Sequence, residues 1–316
     1  MVVTNSYKSE ITDVDELLRS AVPPDARGPD RTRRAIVTGG DTGIGRYIAL
    51  ALAADGCDVA FTYAHHENDA QVTAEAIRKL GRRAVVHQMD LEQPEHAEIA
   101  VDHMVDQLGG LDIFVNNAGT MTTQVVPDID LAAMEKLFRV NTFGAVLGVQ
   151  RALRHMLDIE DEDKADVLTR TKDAARKLIT GRVAKPRDTP GRVIIITSTH
   201  EHVASPVDTV YTMTKHALGG FIKCAAFAMA GTNVTINGVR PGEIATPMNN
   251  MHPEEGEDQN RPSLPSKRSG HPAEIASLVR YLASDDTGFI NGCSYDIGGG
   301  LSIGEPMAMG MYRKAV

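Results

Sequence analysis

The sequence contains no tryptophan and only three cysteines among its 316 residues. Cys57, Cys224 and Cys293 are far apart and form no Cys-x-x-Cys motif, which indicates reduced thiols and a cytoplasmic protein. No His/Cys cluster has the spacing of a zinc site. No apolar run approaches the roughly 18 residues of a membrane span, and the N-terminus lacks the pattern of a secretory signal. We therefore expect neither a metal centre nor a membrane partner.

The sequence also has fewer basic than acidic residues. The chain has 33 lysines and arginines against 42 aspartates and glutamates, a net charge of −9. This balance argues against a nucleic-acid groove. Hydrophobic residues make up 42% and charged residues 24% of the chain, which is ordinary for a globular protein. The composition therefore favours small molecules as partners.

Apolar runs and helical patterns alternate along the chain. The pattern predicts strands at 35–37, 59–63, 84–87, 111–115, 192–197, 234–239 and 293–297. It predicts a helix ending at Ala54 and helices at 69–80, 94–108, 131–157, 211–229 and 272–283. Strands that are apolar on both faces and alternate with helices are typical of a parallel sheet covered on each side. The predicted fold class is α/β: a doubly wound parallel sheet of about seven strands in a three-layer α/β/α domain.

Three segments lie outside this alternation. Residues 1–32 form an extension, which we expect to be a partly disordered arm with a helical turn or two, or an arm that clasps a neighbouring subunit. The catalytic domain covers 33–302 and contains a charged, helix-like insert at 158–190, where a handful of residues usually suffices. Because the insert precedes a strand, we expect it away from the ligand-binding edge, as a solvated helical hairpin or a partner contact. A tail follows at 303–316.

A glycine-rich turn, Thr38-Gly39-Gly40-Asp41-Thr42-Gly43-Ile44-Gly45, joins the first predicted strand to its helix. Gly39 allows a tight turn, Gly43 lets the backbone approach a phosphate, and Gly45 lets helix and strand pack closely. The helix N-terminus offers free amides and a positive dipole to a pyrophosphate. The turn therefore predicts a dinucleotide site in a Rossmann-type fold.

The end of the second predicted strand bears on which dinucleotide binds. A carboxylate there would hold a ribose 2′-hydroxyl and favour NAD, but residues 63–66 read Tyr-Ala-His-His. His65, His66 or Arg46 could supply positive charge to a 2′-phosphate. We therefore favour NADP over NAD, the alternative being that the two histidines are ordinary exposed loop residues.

Tyr211 and Lys215 lie four residues apart in a helical pattern, and Ser198 lies thirteen positions before the tyrosine. This spacing places tyrosine and lysine on one face of a helix. A phenol with a pKa of about 10 is a poor acid or base at neutral pH, and a nearby ammonium would lower that pKa. A serine hydroxyl at a strand end can donate to a carbonyl oxygen as charge develops on it. Such a pair alone is more often solvated helix surface, but together these residues predict proton exchange with a substrate oxygen.

With these elements in this order, the chain from about residue 34 to 302 resembles the short-chain dehydrogenase/reductase family. The resemblance implies that Tyr211 is the general acid or base and that Lys215 lowers its pKa and binds the nicotinamide ribose. It implies that Ser198 hydrogen-bonds the substrate oxygen and that Asn141 holds a water in a proton relay. The implied reaction moves a hydride between nicotinamide C4 and an alcohol or carbonyl substrate. A cofactor-binding regulatory or scaffold protein with little turnover is the alternative.

The same resemblance implies a set of cofactor contacts at the strand ends, with Asp90 on the adenine and the Asn-Asn-Ala-Gly motif from Asn116 lining the cofactor. The full set is Gly39, Asp41, Thr42, Gly43, Ile44, Gly45, Tyr63, Asp90, Leu91, Asn117, Ala118, Gly119, Tyr211, Lys215, Pro241, Gly242, Ile244 and Thr246. The long insert and arm depart from the family pattern but touch none of these motifs. The family usually forms dimers or tetramers through its long helices, which implies a homotetramer or a dimer.

The segment Ser198-Thr199-His200-Glu201 is similar to a Ser-x-His-Glu segment of the bacterial glucose dehydrogenases of this family. A histidine two residues after the serine would face the substrate and hydrogen-bond a hydroxyl. This favours a polyhydroxylated substrate held by His200. Alternatively, His200 and Glu201 only shape the loop.

Overall fold

The computed structural model describes residues 13–23, 25, 32–159, 187–253 and 260–303. Within them seven parallel strands form one sheet in the order β3-β2-β1-β4-β5-β6-β7. The strands are β1 Arg34–Val37, β2 Asp58–Tyr63, β3 Ala84–Gln88, β4 Ile113–Asn116, β5 Gly191–Ile196, β6 Val234–Pro241 and β7 Ser294–Ile297. The strand order reverses direction between β1 and β4, so a crevice opens beyond their carboxyl ends. The predicted doubly wound sheet is confirmed.

Helices cover both faces of this sheet. They are α1 Val14–Ala21, α2 Gly43–Ala54, α3 Glu67–Lys79, α4 His96–Leu108, α5 Leu131–Phe138, α6 Gly144–Met156, α7 Thr209–Ala228 and α8 Pro272–Ala283. Short 3-10 turns occur at Val126–Asp128, Thr199–Glu201, Pro247–Asn249 and Asp285–Thr287. No helix in the described part of the chain is both long and apolar enough to cross a bilayer.

Two apolar cores lie on opposite faces of the sheet. Along β1, Ala35 and Val37 belong to one core and Ile36 to the other, because successive strand side chains point to opposite faces. All three side chains are fully buried. A strand buried on both faces has no polar side, which explains why β1 reads as an unbroken apolar run.

The N-terminal arm carries a helix that packs on its own chain. Asp13 caps α1 by accepting bonds from the amides of Asp15 and Glu16, which satisfies donors that a helix start leaves open. Leu17 is fully buried in the core that α2 and α3 also build, and Lys79 of α3 pairs with Asp15 at 3.0 Å. Expecting one or two turns of helix was right. Residues 13–23 thus pack on their own chain, residues 1–12, 24 and 26–31 of the arm lie outside the described residues, and a contact with a neighbouring subunit stays a prediction.

The long helix predicted at 131–157 is interrupted. Residues Arg139–Phe143 form a π-helical turn between α5 and α6, and Asn141 is buried inside it. A π turn accommodates one extra residue per turn and occurs frequently at functional sites. The sequence predicted one continuous helix because residues 131–138 and 144–156 each have a helical apolar pattern and no glycine or proline marks an end between them.

The insert joins the body at the edge of the sheet opposite the crevice. Residues 160–186, most of the insert, lie outside the described residues, as does the tail from 304. On one side the amide of Ile159 donates to Arg154 O. On the other, Arg187 pairs with the buried Asp112 at 3.1 Å just before β5 begins. Both attachment points therefore lie away from the carboxyl ends of the strands.

Candidate active site

A cleft of about 640 Å³ opens at the carboxyl edge of the sheet. It brings together residues from the ends of six of the seven strands and from α7. Of the predicted cofactor residues it is lined by Gly39, Asp41, Thr42, Gly43, Ile44, Tyr63, Asp90, Leu91, Asn117, Ala118, Gly119, Tyr211, Lys215, Pro241, Gly242, Ile244 and Thr246. Ser198 and His200 line it too. Two predicted site residues, Gly45 and Asn141, are not part of this lining.

The glycine turn has the conformation that its sequence predicts. Gly39 and Gly43 have φ of +65° and +52°, a region that side chains rarely adopt. Gly45 lies behind the turn: a Cβ there would sit 1.9 Å from Gly39 O. Gly45 therefore shapes the turn by close packing and has no direct part in the cleft wall.

The turn is bound to the end of β4 by side-chain hydrogen bonds. Thr38 Oγ1 accepts from the amides of Asn117 and Ala118, both at 2.9 Å. Asn117 Nδ2 donates to the carbonyls of Thr38 and Gly39, both at 3.0 Å. The N-terminus of α2 is thereby held open toward the cleft without a side-chain cap at Thr42. The amide groups of its first turn and its positive dipole end suit a pyrophosphate.

Arg46 does not serve the cofactor. It is fully buried, and its guanidinium donates to Asp41 O at 2.7 Å and contacts Asp69 Oδ1 at 3.1 Å. The suggestion that Arg46 neutralises a 2′-phosphate is therefore wrong. Of the three basic side chains considered, only His65 and His66 line the cleft, and burial lowers the pKa of His66.

Tyr211 and Lys215 share the inner face of α7, as their spacing predicts. The tyrosine is 7% and the lysine 5% exposed. Lys215 Nζ lies 5.4 Å from the centroid of the Tyr211 ring and donates to Ile196 O at 3.3 Å. Ser198, two residues after Ile196, lines the same cleft. The helix and the end of β5 thus bring all three groups to one wall of the cleft.

The pKa of the phenol shifts in the direction opposite to the one expected from the sequence. Burial raises the pKa of Tyr211 to about 12, although the nearby Ser198 hydroxyl opposes this. Asp208, one turn earlier on the chain, adds a smaller upward shift of that pKa through its negative charge. Burial also lowers the pKa of Lys215 to about 8. Desolvation disfavours both charged forms. Because both pKa values still lie above 7, at neutral pH Tyr211 is a neutral phenol and Lys215 is an ammonium.

Asn141 supports the cleft from behind. Its Oδ1 accepts from the amide of Thr120 and its Nδ2 donates to Thr120 O, both at 2.8 Å. A second contact from Nδ2 reaches Thr214 Oγ1 at 3.3 Å. A Cβ on Gly119 would lie 3.3 Å from Asn141 Oδ1 and 3.7 Å from Lys215 Nζ. The glycine therefore keeps a small space free between the amide and the amine.

His200 and Asp208 flank Tyr211. The rings of His200 and Tyr211 meet edge to face with centroids 5.8 Å apart, and His200 Nδ1 lies 3.2 Å from Val203 O. If Nδ1 donates this bond, Nε2 is an acceptor. Asp208 also lines the cleft, and the sequence reasoning missed it. The sequence could have indicated it, because a residue three positions before Tyr211 lies about one helical turn from the tyrosine.

Known proteins share this architecture. A family model described as short chain dehydrogenase matches residues 33–257. The structure of acetoin dehydrogenase YohF from Salmonella typhimurium has a TM-score of 0.74 at 38% identity and covers 87% of this chain and 98% of that one. A short chain dehydrogenase from Burkholderia cenocepacia in complex with NADP has a TM-score of 0.69 at 31% identity, covering 84% and 96%. Glucose 1-dehydrogenase 2 of Bacillus subtilis (strain 168) is 26% identical over 273 residues, 86% of this chain and 95% of that protein.

Proposed function

Because the chain belongs to the short-chain dehydrogenase/reductase family, we propose that it is an NAD(P)(H)-dependent oxidoreductase acting on an alcohol or carbonyl group. One observation carries this proposal: the Tyr211 hydroxyl, Ser198 and the Lys215 amine meet on the wall of the same cleft that the glycine turn forms. NAD(P)H, when bound, supplies the hydride. The protein's own groups have the task of moving the proton.

In the direction of reduction, Tyr211 gives its proton to the substrate oxygen, and in oxidation it takes the proton back. Ser198 donates to the same oxygen and stabilises the charge that develops there. Lys215 stands ready to return a proton to the tyrosine, and the space over Gly119 between Lys215 and Asn141 is the proposed route to solvent. This route would give Asn141 a part in the reaction, although its side chain does not line the cleft.

A substrate panel tests the proposal. The purified protein is incubated with NADPH or NADH and with ketones, aldehydes, α-hydroxyketones and diketones, and the absorbance of the reduced cofactor is followed. We expect turnover of at least one carbonyl class and the reverse reaction with the matching alcohol. Tight cofactor binding without turnover of any substrate would instead identify a regulatory protein of the same fold.

For the cofactor we propose NADP. The proposal is supported by the missing carboxylate at the end of β2 and by the Burkholderia relative in complex with NADP. The glycine turn itself contains one acidic residue, Asp41, which lines the cleft and interacts electrostatically with His65, and burial raises its pKa to about 6. An ionised Asp41 would repel a 2′-phosphate, whereas a protonated one would not.

This arrangement predicts a pH-dependent cofactor preference. Because the pKa of Asp41 is about 6, its carboxyl loses its negative charge below that pH, so the ratio of kcat/KM for NADPH to that for NADH is expected to rise several-fold between pH 8 and pH 5.5. Asp41→Asn is expected to flatten most of this rise, because the amide has no charge to lose. A ratio that is flat in the unmodified protein, or unchanged in the variant, would show that Asp41 does not select the cofactor.

For the substrate we propose a compound with oxygen on two adjacent carbons. Acetoin and glucose, named for two of the relatives, both have this feature. With Tyr211 and Ser198 on the reacting oxygen, His200 is the group beside the tyrosine that would accept a hydrogen bond from a neighbouring hydroxyl. The predicted substrate-binding role of His200 therefore stays part of the proposal.

Replacing His200 with leucine is expected to discriminate between substrates. We expect kcat/KM for acetoin to fall by about 10-fold or more, the effect of one lost hydrogen bond of about 1.5 kcal/mol. A simple ketone such as butanone offers no neighbouring hydroxyl, so its kcat/KM is expected to change little. Equal losses for both ketones would mean that His200 only shapes the loop.

We also propose that the protein is a homo-oligomer, with a tetramer expected. Several large apolar side chains are exposed in the described part of the chain, among them Leu131 of α5, Phe143 of the π turn, Phe227 of α7 and Phe289. Exposed apolar patches often mark subunit contacts. Light scattering coupled to size exclusion would give four times the 34.1 kDa chain mass; a monomer would contradict the proposal.

A further inference from the structure

Glu201 is a buried carboxylate immediately behind the proposed catalytic groups. It ends the 3-10 turn Thr199–Glu201 that follows Ser198, and it is 8% exposed. Its Oε2 accepts from Thr197 Oγ1 at 2.6 Å. It is absent from the cleft lining, so it is not placed to touch substrate or cofactor. A buried carboxylate costs free energy unless charged or polar partners stabilise it, so its neighbours indicate its role.

The carboxylate packs against the α7 face that carries Lys215. Gly219 is four residues after Lys215 and so lies on the same helix face. A Cβ on Gly219 would lie 2.6 Å from Glu201 Cγ and 2.9 Å from Oε1. Any side chain larger than that of glycine at position 219 would displace the Glu201 carboxylate, which therefore lies one helical turn from Lys215.

Glu201 has a cation on each side. Lys215 of α7 interacts with it electrostatically, and Arg240 of β6 approaches its Oε1 with Nη1 at 3.8 Å. Beyond Arg240, Asp296 of β7 contacts the Nε of that arginine at 3.0 Å, and His202 lies 3.7 Å from Asp296. Of these groups, Lys215 is the most deeply buried, with 5% of its surface exposed.

We infer that Glu201 is a positioning residue that keeps Lys215 protonated at neutral pH inside the buried site. The inference rests on the proposed function, in which a lysine ammonium returns protons to Tyr211. A buried ammonium without a nearby anion loses its proton readily. The direction of the Lys215 pKa shift agrees: burial lowers the pKa, and the charge of Glu201 opposes that lowering.

The pH profile of activity tests the inference. In the unmodified protein we expect the rate of carbonyl reduction to fall above pH 8 as Lys215 loses its proton. Glu201→Gln keeps the shape and the contact with Thr197 but removes the charge, so this fall is expected about one pH unit lower. Asp296→Asn is the matched control: it removes a carboxylate beyond Arg240 and is expected to leave the profile unchanged. Equal profiles for Glu201→Gln and the unmodified protein would overturn the inference.

A second measurement needs neither cofactor nor substrate. Unfolding midpoints are measured from pH 6 to 10.5 for four proteins: the unmodified protein, Lys215→Met, Glu201→Gln and the double variant. The effect of Lys215→Met is expected to decline at a lower pH in the Glu201→Gln background. The same pH window in both backgrounds would refute the inference even if turnover is found, and a shifted window would support it even if no substrate is found.

A third variant keeps the inference testable if Glu201→Gln does not fold. Arg240→Met removes the competing cation, so Glu201 acts on Lys215 alone. The alkaline fall in activity, or the pH window of the Lys215→Met effect, is then expected to move to higher pH. A move to lower pH, or none, would contradict the inference.

Discussion

Replacing Tyr211 with phenylalanine is expected to lower kcat by about 10³-fold while cofactor affinity stays within a factor of two. Positioned general acids contribute about 10² to 10⁴ in rate, and Tyr211 is the proton donor in the proposed reaction. Its pKa of about 12 keeps the phenol protonated through the neutral range, which suits a donor to a carbonyl oxygen. Steady-state rates with the best substrate of the panel and cofactor titration by fluorescence would measure both quantities.

Tyr47→Phe is the matched control. Tyr47 is also a buried tyrosine whose hydroxyl meets a serine, Ser20 Oγ at 3.1 Å, but it does not line the cleft. We expect this variant to lose stability, by about 1 kcal/mol, and to keep kcat. If Tyr211→Phe retained full turnover, or if both variants lost it equally, the role assigned to Tyr211 would be wrong.

Lys215→Met is expected to make the protein more stable and nearly inactive. Burial lowers the pKa of Lys215 from 10.5 to about 8, and each unit corresponds to about 1.4 kcal/mol. Holding the ammonium in the folded protein at pH 7 therefore costs about 3 kcal/mol. A methionine fills similar space without that cost, so the free energy of unfolding is expected to rise by up to this amount. Turnover is expected to fall by at least about 10²-fold because proton return to Tyr211 is lost.

The stability gain from Lys215→Met is expected to depend on pH, and this dependence tests the burial of the lysine most directly. Below pH 8 the lysine is charged in both folded and unfolded chains, so the full cost is present. Between pH 8 and 10.5 the folded chain has released a proton that the unfolded chain still holds, so stability rises with pH. The advantage of Lys215→Met is therefore expected to shrink across this window in urea unfolding curves. Lys223→Met, an exposed lysine of the same helix, serves as control; a constant advantage, or none at pH 7, would contradict the expectation.

Much of the fold and of the cleft could be predicted because local patterns specified them. The apolar run at β1 is buried on both faces, and the glycines of the turn have the conformation that only glycine adopts readily. The spacing of Tyr211 and Lys215 required no knowledge of the remainder of the chain. These features depend on residues close in sequence, for which periodicity and backbone freedom are sufficient arguments.

The features that could not be predicted depend on contacts between distant residues. Arg46 looked available to a phosphate, but Asp69 and the turn carbonyl of Asp41 bind it. The pKa of Tyr211 was expected to fall because a lysine is near, whereas the depth of burial decides its direction. The contact of Glu201 with the lysine-bearing helix depends on Gly219, eighteen positions later. Sequence spacing contains no information on desolvation or on which surfaces meet.

The π turn at Arg139–Phe143 also sets how the chain tolerates a change in length. An α-helix turns by about 100° per residue, and the extra residue in this turn keeps the solvent-facing and core-facing sides of α5 and α6 aligned around it. Deleting one residue there would restore a regular helix but rotate all of α5 relative to α6. The loop that begins at Thr120, anchored by Asn141, would then lose its support, so we expect evolution to accept substitutions in this turn far more readily than a single-residue deletion.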